Sequence, residues 1–287
     1  MKLSEMQSFR AFNVLFKGEP GTGKTPAALS YPYPILYFDA DFRASAVLPY
    51  FKHDKERIKN IEVVQPHHFD DVVVKLRGIQ ESFSKPEFKT IILDTLTTYA
   101  DISIRSTVKD KGGSGGRKVG SVMIAGIQDY GDEAGVLSET ITLMRLIFQT
   151  HKVNTILIAH VITSEEKDLN AKENKITYSR ALLTGGKKIG AKVPAYYDEV
   201  YHTTVRPNFS GKPEFIALTR HTGFDFARTG LDCPNEIDFT NFERDPKKYF
   251  YNLIQGYIPS EEAYETNLKE EDKTERQVNI ESTTNGF

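Results

Sequence analysis

The segment Gly18-Glu19-Pro20-Gly21-Thr22-Gly23-Lys24-Thr25 places Gly18, Gly23, a lysine and a hydroxyl residue at the spacing of a phosphate-binding loop. Its surroundings constrain the fold further. Ala11-Phe12-Asn13-Val14-Leu15-Phe16 reads as a buried strand entering the loop, and Pro26-Ala27-Ala28-Leu29 as a helix leaving it. Pro26 is tolerated in a first helical turn, where the backbone N–H has no intrahelical partner. Strand, glycine loop and helix start aim free amides and a helix dipole at a phosphate chain. Lys24 is then expected on the β- and γ-phosphates, and the Thr25 hydroxyl on Mg²⁺. A nucleoside triphosphate, written here as ATP although the loop reads no base, is the implied ligand.

The remaining chain supports an α/β domain. Short apolar runs at 14–16, 35–38, 61–64, 90–93, 155–159 and 199–204 alternate with helical patterns, which predicts a mainly parallel sheet flanked by helices. Two helices are legible from their apolar stripes: 67–83, through Phe69, Val72, Val73, Leu76 and Ile79, and 133–150, through Leu137, Ile141, Met144 and Phe148. Residues 107–120, which include Gly112-Gly113-Ser114-Gly115-Gly116, and the polar stretch 163–183 are expected as long loops. The division expected is an ATPase core over 1–205, a β-rich extension over 206–259 packed on it, and a disordered tail over 260–287 with eight acidic and three basic residues.

Composition removes several classes. A net charge of −2 argues against a generally basic nucleic-acid coat, leaving local patches open. One cysteine, Cys233, precludes an internal disulfide and an all-cysteine metal site, and is expected as a small buried hydrophobe. The first residues form no apolar signal region and no run approaches a membrane span, so a cytoplasmic location is expected. Asn174-Lys175-Ile176-Thr177 lacks the aspartate of the GTPase base-reading motif, and the Leu-Ser-Gly-Gly signature of transporter ATPases does not occur.

Thr90-Ile91-Ile92-Leu93-Asp94 is an apolar strand ending in the acid expected to hold Mg²⁺. Position 95 is threonine, where AAA-type motors and many helicases carry glutamate, so the acid that orients water must come from elsewhere. Tyr37-Phe38-Asp39-Ala40-Asp41 offers one. Here the chain resembles the RecA-type ATPases, whose pattern at that strand end is Asp-Ala-Glu. Ile61-Glu62-Val63-Val64-Gln65-Pro66, Asp94-Thr95, Ile156-Leu157-Ile158-Ala159-His160 and Thr184-Gly185-Gly186 follow in family order, and the resemblance covers roughly residues 9 to 205. It implies Asp41 as the water-orienting acid and His160 as the γ-phosphate sensor, on a strand between those of Lys24 and Asp94. Two departures stand out: Asp41 is one methylene shorter than glutamate, which predicts slow turnover, and His160 replaces glutamine.

A nearer resemblance is to phage-encoded RecA-like ATPases, often labelled nucleotide-binding proteins, some of which act in single-strand annealing and recombination. It implies single-stranded DNA as partner, further copies of the chain in a filament or ring, and a single-strand-binding protein. The DNA contacts it implies come from two loops: Lys109, Lys111, Arg117 and Lys118 in the first, Tyr178 and Arg180 in the second. Arg220 and Arg228 lie where the family often places a cation supplied to a neighbour's site. A ring-shaped helicase or motor and a nucleotide-gated scaffold are the competing functions.

Overall fold

The computed structural model describes residues 11–84, 86–111, 117–119, 122–167, 176–182, 184 and 187–258. In chain order the elements are β1 (Asn13–Gly18), α1 (Lys24–Leu29), β2 (Ile35–Asp39), α2 (Lys55–Lys59), β3 (Ile61–Val64), α3 (Asp70–Glu81), β4 (Thr90–Asp94), α4 (Leu96–Asp110), β5 (Arg117–Val119), β6 (Val122–Ile124), α5 (Ile127–His151), β7 (Asn154–Lys167), β8 (Ile176–Leu182), α6 (Lys187–Lys192), β9 (Glu199–Pro207), β10 (Pro213–Leu218), β11 (Glu236–Asp238) and α7 (Phe250–Gln255).

One sheet organises them, in the order β11-β10-β9-β1-β7-β4-β2-β3 with β8 joined to β7. The strands from β9 to β3 run parallel; β10, β11 and β8 are antiparallel additions. Each central strand is buried along its length, which is why it reads as a continuous apolar run. The mainly parallel α/β fold expected from the sequence is the fold found. So is the position of the His160 strand, β7, between β1 and β4.

Two cores flank the sheet. Leu15, Leu36, Leu93 and Leu157 face α3, α4 and α5 on one side. On the other, Phe16, Tyr37 and Ile158 pack with Ala27, Ala28 and Leu29 of α1 and with Tyr201, Ala217, Ile237, Phe239 and Phe250. Cys233 is buried in this second core. Residues beyond 205 therefore complete both the sheet and one of its cores. Among the described residues no helix is long and apolar enough to cross a membrane.

Both expected loops differ from the reading. Helix α4 runs through Asp110, carrying Lys109 in its last turn, and β5 and β6 form a short antiparallel pair after it. The 163–183 stretch contains an antiparallel ladder, Val161↔Leu182 through Lys167↔Ile176, so β7 passes straight from the core into a hairpin. Backbone pairing needs no apolar pattern, so a polar hairpin leaves little trace in sequence. The glycine run 112–116, Gly185, Gly186 and the acidic tail lie outside the described residues.

Candidate active site

The phosphate loop begins where β1 meets β9. A Cβ at Gly18 would sit 2.3 Å from the Thr203 carbonyl oxygen, so only glycine fits. Gly23 caps α1 at φ 82°, and a Cβ there would also meet Phe239 at 2.8 Å. Thr22 Oγ1 and Thr203 Oγ1 lie 2.7 Å apart, tying the loop's crest to β9. Within this frame Lys24 is 5% exposed. Its Nζ donates to the carbonyls of Gly18 at 3.0 Å and Glu19 at 2.6 Å. Burial lowers its pKa to about 8, against the attraction of Asp94, Asp41 and Glu19.

Thr25 Oγ1 donates to Asp94 Oδ2 at 2.6 Å, and the Tyr37 hydroxyl donates to the same oxygen at 3.0 Å. Burial lifts the Asp94 carboxyl to about 6; the Thr25 hydrogen bond pulls the other way. A hydroxyl and a carboxylate oxygen so placed fit a hard divalent cation such as Mg²⁺. Among the described residues no cluster of three or more His, Cys, Asp or Glu could hold a metal. Phosphate and water would have to complete the shell, as is usual for Mg²⁺.

Asp39 and Asp41 divide the work at the end of β2. Asp39 is fully buried, and its Oδ1 accepts from the Arg43 amide at 3.0 Å. Its Oδ2 accepts from the Ala44 amide at 2.8 Å and from Gln65 Nε2 at 3.1 Å. It is a structural clamp. Asp41 Oδ1 accepts from the hydroxyls of Thr95, at 3.1 Å, and Thr98, at the N-terminus of α4. Its Oδ2 lies 4.0 Å from His160 Nε2. Burial, then the Lys24 charge, holds the His160 imidazole below its usual pKa, so it is neutral near pH 7. Among the described residues His160 Nδ1 is buried without a hydrogen-bond partner.

Lys24, Thr25, Asp41, Asp94 and His160 line one cavity of about 190 Å³. The structure thus brings these five residues together from four different elements and their ends. Sequence reasoning missed Tyr37, the second donor to Asp94, and Arg43, Tyr50, Phe215 and Phe242, which also line the cavity. Phe215 and Phe242 come from the C-terminal part of the chain, and no local pattern marks them.

The family AAA_24, described as an AAA domain, matches residues 10–227, well over half of the chain. The chain belongs to this AAA-domain family. It is a nucleotide-binding P-loop ATPase. No curated protein matches its sequence. Among solved structures, the flagellar accessory protein FlaH from Methanocaldococcus jannaschii is similar at 11% identity, over 83% of this chain and 89% of that one, with a TM-score of 0.40.

Elsewhere in this AAA domain several expected contacts are differently placed. The Arg220 guanidinium donates to the carbonyls of Thr229 and Leu231, each at 3.0 Å. That of Arg228 donates to the Tyr197 carbonyl. In this single copy both arginines staple their own chain. Lys111 pairs with Asp132 and lies 3.8 Å from Asp129, so its charge is compensated. Lys109 is exposed on α4. Arg117 and Lys118 lie on β5, Tyr178 and Arg180 on β8; their side chains are outside the described residues.

Proposed function

We propose that the protein is a RecA-type ATPase, phage-encoded, that binds Mg·ATP, hydrolyses it slowly and acts on single-stranded DNA in recombination or annealing as a homo-oligomer. The course of β7 carries this reading. His160, on the wall of the phosphate cavity, lies on the same uninterrupted strand that runs on to pair with β8, which carries Tyr178 and Arg180. A strand held by β1 and β4 on both sides is stiff, so a change at the terminal phosphate has a direct route to the hairpin.

In this reading the loop amides and Lys24 bind and orient the phosphates, while Thr25 and Asp94 hold the ion. When bound, Mg²⁺ neutralises charge on the phosphate oxygens. Asp41 positions the attacking water and accepts its proton, and neutral His160 donates a hydrogen bond to the terminal phosphate.

The test is the ATPase rate with and without single-stranded DNA. Clear stimulation, abolished in Lys24→Ala, is expected; equal rates with and without DNA count against a recombination role. A second reading, a nucleotide-gated binding protein with negligible turnover, draws on the two threonine hydroxyls that hold the short Asp41 side chain. Tight ATP binding with no turnover under any condition would favour it.

A further inference from the structure

Among the described residues lining the phosphate cavity there is one arginine. Arg43 follows Asp41 by two residues and lines the same cavity as Lys24, Asp94 and His160. Its guanidinium makes no hydrogen bond or ion pair among the described residues, although its charge is felt at His160. Its backbone, by contrast, is closely fixed. The buried Asp39 carboxylate holds the amides of Arg43 and Ala44, and Gln65 holds Asp39 in turn.

Phe42, between Asp41 and Arg43, stands in the left-handed region at φ 58° with its ring 5.0 Å from that of His67. That conformation costs a non-glycine residue about 1–2 kcal/mol, and persists only where the surroundings enforce it. Clamp and strain together set the turn that delivers residue 43 to the cavity. An exposed side chain on an anchored backbone, lining a cavity shared with two carboxylates and an ammonium, suits a guanidinium that waits for an anion. A terminal phosphate carries three oxygens over which charge is spread, and a planar guanidinium can pair two of them at once beside the donors from Lys24 and His160.

We infer that Arg43 is the arginine of this active site, supplied in cis, and that its guanidinium contacts the terminal phosphate of the bound triphosphate. This rests on the ATP reading of the cavity. Nothing covalent passes through Arg43: it neutralises charge on the terminal phosphoryl group as that group moves from ADP to water.

The experiment measures binding of ADP and of a non-hydrolysable ATP analogue, together with turnover, in wild type, Arg43→Ala and Arg43→Lys. Arg43→Ala should keep ADP affinity within about twofold, lose about tenfold or more in affinity for the analogue, and lose about a hundredfold or more in kcat. Arg43→Lys should fall between, and millimolar guanidinium ion should restore part of the Arg43→Ala rate, which a purely structural role would not allow. Unchanged binding and turnover in Arg43→Ala overturn the inference. So does an equal loss for ADP and the analogue, whatever the melting temperature. Failure of the wild type itself to bind either nucleotide overturns the ATP reading as well, and is distinguishable on that ground.

Discussion

At the residue scale the site is governed by burial acting on two opposite charges. Lys24 is an ammonium pressed below its ordinary value of 10.5 to about 8. In the free protein its proton leaves as pH rises through 8, whereas a bound polyphosphate restores it. ATP affinity should therefore weaken above pH 8, by up to about tenfold per pH unit, with proton uptake on binding between about pH 8 and 10. Calorimetry in buffers of different ionisation enthalpy detects that uptake; Lys24→Arg, which never loses its charge, should show none. Asp94 is the mirror case, an acid raised from 3.8 to about 6. The fold prefers its protonated form, so Asp94 favours the nucleotide-free protein at low pH and penalises it as pH rises from about 4 to 6. Asp94→Asn should melt higher than wild type at pH 8, by on the order of 2 kcal/mol, match it more nearly at pH 4, and fail to bind Mg·ATP. Thermal melts at the two pH values decide this. Function at this position opposes stability.

At the element scale the predicted consequence belongs to the β7–β8 hairpin. Replacing residues 163–180 by a short turn leaves His160 and its neighbours β1 and β4 in place. Basal ATPase should persist and its response to single-stranded DNA should vanish; a retained response would locate the DNA contact elsewhere. What sequence could and could not reveal is also clearest here. The strands β1, β2, β4 and β7 were legible because strands buried on both faces are written as unbroken apolar runs, and Asp94 because it ends one of them. Helix α4 was not. Its Thr, Ser and Ile residues have modest helix propensity, and the hydroxyls of Ser103 and Thr107 bond back to carbonyls one turn earlier. Packing of Leu96, Tyr99 and Ile102 into the core decides its conformation instead. The roles of Arg220 and Arg228 were equally invisible, since a guanidinium facing carbonyls and one facing solvent have the same one-letter code.

At the scale of the whole molecule, the phosphate loop and the C-terminal segment are a single construction. Tyr201, Ile237, Phe239 and Phe250 share a core with the helix that follows the loop, and Phe215 and Phe239 stand against Gly23 itself. Ending the chain at residue 205 would strip away Phe215, Ile237, Phe239 and Phe250, each worth several kcal/mol where large buried apolar side chains are lost. Such a truncation should give insoluble protein or a chain without a cooperative thermal transition, and no ATP binding. A folded, nucleotide-binding 1–205 fragment would refute this account of the core.

Synthesis on the ribosome gives that arrangement a temporal meaning. The residues that grip phosphate leave the exit tunnel before the rings that brace them, which arrive only after some two hundred further residues have been translated. A nascent chain carries the motif long before it carries the pocket, so nucleotide capture is postponed until Phe215 and Phe239 have emerged.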